Sequence, residues 1–213
     1  ATPEGLEKLK EQHDEAFGSR DPSKVRTFRV KNLNIWVHGT ENTYMDEILL
    51  AQWDECQVGS LAFAEMTKGR TCIAGVDLSK KIDLTADGYV FLLDDGRMAV
   101  SAHGFIPEEG VEKHEKTDRV PYREWAEGGW VTITPGNVTD YGFISTHIAD
   151  VELEHEWHIH ELTFDPYNAT HFAGEMADNG YTTVEIRQGV RTLSEPTKLL
   201  RELIGSKRVV HDG

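Results

Sequence analysis

The chain has 213 residues, of which 38% are hydrophobic and 28% are charged, as is typical of a soluble globular protein rather than a disordered one. No apolar run approaches the ~20 residues that a membrane-spanning helix needs, and the two cysteines lack the spacing of a zinc site or a disulfide framework. The net charge of −15 disfavours bulk electrostatic capture of nucleic acid, although residues 181–213 carry six Lys or Arg against four acidic residues and so permit a local DNA contact.

The first part of the chain, to about residue 65, is predicted to be helical. Asp21-Pro22 is typical of a helix start, because an N-cap residue is followed by proline at the first helical position. Residues 43–56 place their apolar side chains at helical spacing. We therefore assign residues 1–65 to a helical segment and residues 66–213 to a separate domain.

After the helical segment the pattern changes to short apolar runs separated by turn residues. Residues 71–79, 88–94 and 98–106 are predicted to be three strands. Asp95-Gly96 indicates a tight hairpin between the second and the third. The three strands are expected to form an antiparallel meander.

The rest of the chain is predicted to alternate between helices and strands. A short helix and an extra strand or extended arm precede Pro135-Gly136. The remaining predicted elements are a helix at 140–156, a strand at 157–165, a helix at 168–180, a strand at 182–189 and a closing helix capped by Ser194. This order predicts an α/β fold, in which helices flank a mixed sheet and a helical segment lies at the N-terminus.

Two aspartates each follow an apolar run at the predicted end of a strand. Asp77 ends the run that begins at residue 73, and Asp165 ends the strand predicted at 157–165. Open α/β sheets collect their functional sites at carboxyl strand ends. If these two strands are parallel neighbours, Asp77 and Asp165 are expected to face each other.

Two unpaired carboxylates at close range repel each other, and a bound divalent cation relieves that repulsion. Hard oxygen ligands select Mg²⁺ or Mn²⁺, and phosphoryl transfer is the chemistry that uses such ions. The alternative is structural, because an aspartate after a strand is often a turn former or a helix N-cap. The same alternative applies to Asp83, which lies six residues after Asp77.

Three histidines, His155, His158 and His160, resemble a metal-binding cluster in their spacing. On a regular strand, however, His158 and His160 share one face while Asp165 points to the other. The pattern therefore favours a polar, partly exposed strand face over a metal site. The sequence contains no glycine-rich phosphate loop ending in Gly-Lys-Ser or Gly-Lys-Thr, so it does not predict a P-loop ATPase.

Several of these stretches, taken together and in order, resemble the nuclease half of the large terminase subunit of tailed bacteriophages, which has a ribonuclease-H-like fold. They are GVDLSKKIDLTA, EWAEGGWVTITPGNVTDYGFI, LTFDPYNA and the run from Gly180 to Gly213. An upstream stretch, from Phe28 to Cys56, resembles the helical connection between that family's ATPase motor and its nuclease. The resemblance covers about residues 25–213.

The resemblance implies a nuclease that cuts concatemeric viral DNA during genome packaging and uses carboxylates that bind Mg²⁺ or Mn²⁺. By position, the family's first-strand aspartate corresponds to Asp77 and its fourth-strand acid to Asp165, so these two are the implied catalytic and metal-binding residues. Asp83 matches a further metal-site aspartate. The implied partners are double-stranded DNA, the ATPase motor domain of the same parent chain, and the small terminase subunit and portal. The implied location is the host cytoplasm, without a membrane.

This sequence departs from the family pattern in one feature. The resemblance places a third metal-binding aspartate on a helix beyond Gly213, and Asp212 belongs to the preceding motif. The chain also begins with Ala1 rather than Met. We therefore expect a part of a longer protein, with weak metal affinity and slow, sequence-indifferent cutting.

Two other interpretations stay open. One is a sugar-kinase-like or actin-like ATPase, because residues 75–81 followed by a hairpin resemble the first phosphate loop of those proteins. They also need a second phosphate loop and a considerably longer chain. The other is a non-catalytic module that docks on DNA or on the packaging portal.

Overall fold

A computed structural model describes residues 3–18, 24–25, 28, 45–79, 84–118, 120–138 and 140–213. The chain divides into two compact units, residues 1–54 and residues 55–213. The division predicted from the sequence, between residues 65 and 66, falls inside a helix of the second unit. As a boundary between functional domains it stays a prediction.

The first unit is helical where it is described, in agreement with the sequence. Helix α1 spans Pro3–Gly18 and helix α2 spans Glu47–Asp54. The carboxylate of Asp46 accepts hydrogen bonds from the backbone N–H groups of Ile48 and Leu49, at 3.0 and 2.9 Å. These bonds satisfy two of the N–H groups that a helix start leaves without an intrahelical partner. Asp21-Pro22, the predicted helix start, lies outside the described residues.

The second unit is built on a mixed sheet of seven strands. In chain order, these are β1 Thr71–Asp77, β2 Thr85–Leu92, β3 Met98–Pro107, β4 Val131–Thr134, β5 His158–Phe164, β6 Thr183–Glu185 and β7 Val209–His211. The spatial order is β4-β3-β2-β1-β5-β6, and β7 pairs with β3 beyond the end of β4. The predicted mixed α/β architecture is confirmed.

The pairing within the sheet agrees with the predicted meander and with the parallel arrangement considered for the strands that end next to Asp77 and Asp165. Strands β1, β2 and β3 are antiparallel neighbours, joined between β2 and β3 by a turn at Asp95 and Gly96. Gly96 has a φ of 79°, a conformation that glycine adopts without steric cost. Strand β5 is parallel to β1, and β6 is parallel to β5. Strand β4 confirms the extra strand, whereas β7 was not predicted.

Six further helices belong to the second unit in the described residues. They are α3 Ser60–Thr67, α4 Glu108–Asp118, α5 Tyr122–Glu127, α6 Tyr141–Glu154, α7 Pro166–Asp178 and α8 Val190–Gly205. Within the part of the chain that the structure describes, no helix combines the length and the apolar character needed to cross a bilayer.

The prediction that Ser194 caps the closing helix is wrong. Helix α8 begins at Val190, after Gly189, and includes Pro196. Ser194 lies in its second turn, where its hydroxyl donates a hydrogen bond to the carbonyl of Val190 four residues earlier. Serine hydroxyls make hydrogen bonds to the backbone inside helices as well as at their starts, so a serine does not by itself indicate a helix start.

The main core lies between one face of the sheet and helices α6 and α7. It includes the fully buried side chains of Phe91 on the sheet, Ile144 and Ile148 on α6, and Phe172 and Met176 on α7. The alternating burial of β1 and β2 follows from the period-two pattern of a strand. The odd-numbered residues of β1, which end at Asp77, therefore lie on the opposite face of the sheet.

Candidate functional site

Asp77 is the last residue of β1, and its side chain is exposed. Its neighbour Val76 is buried and pairs with Phe164 of β5, so Asp77 points away from the main core. The chain just beyond it is fixed, because Ser79 N–H donates to Thr85 Oγ1 at 3.1 Å and Tyr141 Oη donates to the Ser79 carbonyl at 3.1 Å. The position of Asp77 is thus set by the strand before it and by these bonds after it.

The close pairing of β1 with β5 depends on a small residue beside Asp77. Thr163 on β5 donates a hydrogen bond from Oγ1 to the carbonyl of Ala74 at 3.0 Å. A Cβ atom added to Gly75 would lie 3.0 Å from that same Oγ1. Gly75 therefore leaves the space that allows Thr163 to join the two strands next to the site.

Asp165 follows β5 and is the N-cap of α7, with Pro166 at the first helical position. Its Oδ1 accepts a hydrogen bond from Tyr167 N–H at 2.7 Å, and its Oδ2 accepts one from Gln188 N–H at 2.7 Å. These two backbone donors, with a smaller contribution from the charge of Arg187, hold the pKa of Asp165 below its ordinary value. The carboxylate is therefore held ionised and in one orientation.

The structure brings Asp77 and Asp165 together. The parallel register ends with Val76 opposite Phe164, and each aspartate is the next residue along its own strand. Both side chains line one cleft of about 620 Å³, together with Leu78, Pro166, Tyr167, Arg187 and Gln188. This is the carboxyl-end location at which open α/β sheets bind their ligands.

The structural alternative considered for Asp165 is also present, because this residue caps a helix. Capping leaves acceptor sites on Asp165 for a ligand, since each carboxylate oxygen can accept two hydrogen bonds and each accepts one here.

Asp83, the third predicted ligand, lies outside the described residues. Among the residues that are described, no group of three or more His, Cys, Asp or Glu side chains is arranged to hold a metal ion.

The three histidines near β5 lie outside the cleft. His158 and His160 are exposed, and His155 stacks on Trp157 with ring centroids 4.6 Å apart. The register of β5 against β1 shifts between Cys72 and Ile73, which places an irregularity next to His160. The two strand histidines therefore form a polar surface, as the sequence pattern favoured.

The double role of Asp165 predicts a stability effect that Asp77 does not share. Asp165→Ala should lower the melting temperature, because the first turn of α7 and the N–H of Gln188 both lose their acceptor. Asp165→Asn should lower it less, since the amide oxygen can still accept one of the two bonds. Thermal unfolding monitored by circular dichroism, without divalent metal, measures both shifts. Equal melting temperatures for Asp165→Ala and the wild type would contradict the capping role.

A second polar cluster, which was not predicted from the sequence, surrounds a buried aspartate. Asp87 on β2 is 2% exposed, and its Oδ2 accepts a hydrogen bond from Tyr89 Oη at 3.0 Å. His147 Nε2 on α6 lies 3.6 Å from the same oxygen, and the His147 ring stacks on His103 of β3 with centroids 4.5 Å apart. His103 Nε2 lies 2.8 Å from Thr132 Oγ1 on β4.

Burial perturbs the titration of this cluster. It raises the pKa of Asp87 to about 7, against the opposing effect of the Tyr89 hydroxyl. It lowers the pKa of His103 to about 4 and also lowers that of His147. Period-two alternation was the signal that could have found this cluster, because Asp87 lies on the same face of β2 as Tyr89 and Phe91.

The chain is similar in sequence to a known protein family and to individual proteins. The sequence matches the family described as terminase large subunit, endonuclease domain, over residues 2–213. It is 31% identical over 194 residues to the terminase large subunit of Enterobacteria phage HK97, covering 90% of this chain and 36% of that protein. It is 29% identical over 197 residues to protein YmfN of Escherichia coli strain K12, covering 89% of this chain and 42% of that protein.

The fold agrees with a solved member of the same family. The crystal structure of the HK97 bacteriophage large terminase superposes with a TM-score of 0.67 at 27% sequence identity, over 100% of this chain and 41% of that one. This chain therefore spans less than half the length of the relatives that it matches. From the family match over nearly its whole length, we conclude that the chain belongs to the terminase large subunit endonuclease-domain family.

Proposed function

We propose that this chain is a divalent-metal-dependent endonuclease that cuts concatemeric viral DNA during genome packaging. The observation that carries the proposal is the cleft in which Asp77 and Asp165 lie at the carboxyl ends of two adjacent parallel strands. The family match supports a packaging-associated nuclease role.

The donor set of the cleft suits a hard cation. Two carboxylates supply oxygen ligands, and Mg²⁺ is commonly bound by one or two carboxylates plus water and substrate phosphate oxygens. Asp165 has its orientation fixed by Tyr167 N–H and Gln188 N–H, so it would offer its remaining acceptor sites without further ordering. Asp77 would supply the second carboxylate, and we retain Asp83 as a further candidate ligand for Mg²⁺ or Mn²⁺.

The reaction is phosphodiester hydrolysis. A water oxygen forms the new bond to phosphorus, the bond from phosphorus to the leaving sugar oxygen breaks, and that oxygen takes up a proton. When bound, a divalent ion supplies Lewis-acid stabilisation of the charge that develops on the phosphoryl oxygens. The part of Asp77 and Asp165 is to hold that ion and to orient the attacking water. Both roles require them to be ionised, and the hydrogen bonds to Asp165 favour its ionised form.

The partners follow from the same proposal. Double-stranded DNA is the substrate, and the family resemblance implies an ATPase motor domain in the same parent chain. The matched relatives are long enough to contain one, since this chain covers 36% of the HK97 protein. Such a motor would hold DNA near the cleft, and tethering raises the effective concentration of a weakly bound substrate. This contribution matters because the chain has a net charge of −15, which opposes approach of DNA. The small terminase subunit and the portal are further proposed partners, in the host cytoplasm.

A plasmid-nicking assay tests this function. We expect slow conversion of supercoiled to open-circular DNA in millimolar Mn²⁺ or Mg²⁺, without sequence preference, and none in EDTA. Because Ca²⁺ binds oxygen ligands with longer and less rigid geometry, it should support DNA binding but little cutting. DNA binding without nicking in any metal would instead favour the non-catalytic docking module. Nicking that persists in EDTA would contradict the metal-dependent mechanism.

A further inference from the structure

One positively charged side chain lines the cleft and has no part in the roles proposed above. Arg187 lines it beside Asp77 and Asp165, and its side chain is exposed. Its charge helps to lower the pKa of Asp165, after the larger effect of the two backbone donors. Among the described residues, Arg187 forms no side-chain hydrogen bond or ion pair within 4.0 Å. The guanidinium is thus near the carboxylates without being held by them.

The backbone around Arg187 is fixed to the end of β5 on both sides. Ile186 N–H donates to the carbonyl of Phe164 at 2.8 Å, and Gln188 N–H donates to Asp165 Oδ2 at 2.7 Å. Arg187 therefore lies between two hydrogen bonds, one of which also orients Asp165. Its Cα position relative to Asp165 is set by main-chain groups that a change of side chain at position 187 leaves in place.

The charges in the cleft indicate what this arginine binds. A cation beside two metal-binding carboxylates weakens their attraction for a metal ion, so its presence there favours an anionic ligand. With one divalent ion bound, the two carboxylates and Arg187 carry a single net positive charge, which matches one phosphodiester. A guanidinium also presents a planar pair of N–H donors that fits two phosphate oxygens.

We propose that Arg187 binds the non-bridging oxygens of a DNA phosphate in this cleft and so sets the register of the strand against Asp77 and Asp165. This inference rests on the proposed nuclease function. Since phosphate contacts orient DNA without reading its sequence, such a contact agrees with sequence-indifferent cutting.

Arg187→Ala and Arg191→Ala form a matched pair for the test. Arg191 is an exposed arginine in the first turn of α8, four residues later, and it does not line the cleft. Both variants remove one positive charge from the same surface region. Arg187→Ala should lower the nicking rate at saturating DNA by about 10- to 100-fold, which is less than the roughly 100- to 1,000-fold loss on removal of an oxyanion-hole donor, because Arg187 is exposed. Arg191→Ala should lower it by less than about threefold, while Arg187→Lys should recover part of the loss because it restores charge without the planar fork.

Two binding measurements separate this contact from a structural role. DNA binding is measured in Ca²⁺ at several salt concentrations. A plot of log affinity against log salt concentration has a negative slope, and its magnitude should be smaller by about 1 for Arg187→Ala than for the wild type, because one phosphate contact is lost. With Mn²⁺ alone, measured by calorimetry, the same variant should bind the metal about two- to fivefold more tightly, since a repelling charge has been removed. A residue that merely supported the carboxylates would instead weaken Mn²⁺ binding when removed.

Equal losses of cutting in Arg187→Ala and Arg191→Ala would overturn the proposal, because they would indicate a diffuse basic surface rather than a contact in the cleft. Weaker Mn²⁺ binding by Arg187→Ala would also overturn it. If the wild-type chain fails to cut DNA with every divalent metal tested, the nuclease function itself is contradicted. In that case, the salt slopes of the wild type and Arg187→Ala still decide whether Arg187 contacts a phosphate.

Discussion

Asp77→Asn is expected to abolish Mn²⁺-dependent nicking without loss of stability. A bound metal ion contributes several kcal/mol to stabilising the transition state of phosphoryl transfer, and about 1.4 kcal/mol corresponds to a factor of ten in rate. Loss of a carboxylate ligand should therefore reduce the rate by about 1,000-fold. In the absence of metal, the melting temperature should stay equal or rise, because Asp77 is exposed, β1 keeps its backbone bonds, and an acidic chain of net charge −15 loses one negative charge.

Metal-dependent stabilisation provides a second measurement on the same proteins. Mn²⁺ should raise the melting temperature of the wild type, because a ligand that binds only the folded chain stabilises it, and it should leave Asp77→Asn almost unchanged. Asp178→Asn is the matched control, since Asp178 is exposed near the end of α7 and does not line the cleft. It should behave like the wild type in both assays. Full nicking activity in Asp77→Asn would show that Asp77 is not a metal ligand.

Asp87→Asn is expected to stabilise the protein above neutral pH and to change how its stability depends on pH. Burial raises the pKa of Asp87 from 3.8 to about 7, so between these pH values the folded chain holds a proton that the unfolded chain has released. The contribution of Asp87 to stability is fully present below pH 3.8 and is lost as the pH rises through about 7. Asparagine does not ionise, so its unfolding free energy lacks this pH dependence. Between pH 5 and pH 8, the free energy of unfolding of the variant should therefore rise relative to that of the wild type by up to roughly 3 kcal/mol.

Urea unfolding at both pH values measures this gain. Trp157 is a suitable fluorescent probe, because its ring is buried in the core with its centroid 5.2 Å from that of Tyr89. The partly buried histidines, His103 and His147, act in the opposite direction, since their lowered pKa values cost stability as the pH falls below 6.5. Because His147 Nε2 lies 3.6 Å from Asp87 Oδ2, the contribution of the histidines differs between variant and wild type at acidic pH. At pH 8 histidines are neutral in the folded and the unfolded chain, so the comparison at that pH isolates Asp87.

Asp150→Asn is the control for this measurement, because Asp150 is exposed on the same helix as His147 and influences its charge. It removes one charge from an acidic protein near the cluster without removing a buried carboxyl. A similar gain in Asp150→Asn would indicate a general effect of net charge. An unchanged pH dependence in Asp87→Asn would contradict the raised pKa of Asp87.

The candidate site could be predicted from the sequence because its two described aspartates mark the ends of apolar strands. Asp77 and Asp165 each follow a run with strand periodicity, and α/β sheets place their sites at such ends. The structure confirms that the two strands are parallel neighbours and that both side chains line one cleft. Their role as metal ligands stays a prediction, as does that of Asp83.

Local patterns were less reliable where a residue type serves two purposes. Ser194 was predicted to cap the closing helix, yet α8 begins at Val190 and includes Ser194. Strand β7 was missed because three residues, Val209–His211, are too short to show a period. It forms a strand through its pairing with residues 98–100 of β3.

The sequence by itself determined the order of most helices and strands, the antiparallel meander and the positions of Asp77 and Asp165, because these depend on local periodicity and on turn residues. Only the tertiary structure decided which distant groups meet. The register of β2 against β3 places Asp87 opposite His103, and the packing of α6 adds His147 to them. The main-chain bond from Gln188 to Asp165 likewise places Arg187 in the cleft. Such contacts join residues far apart in the chain, and they are fixed by strand register and helix packing, which no local pattern specifies.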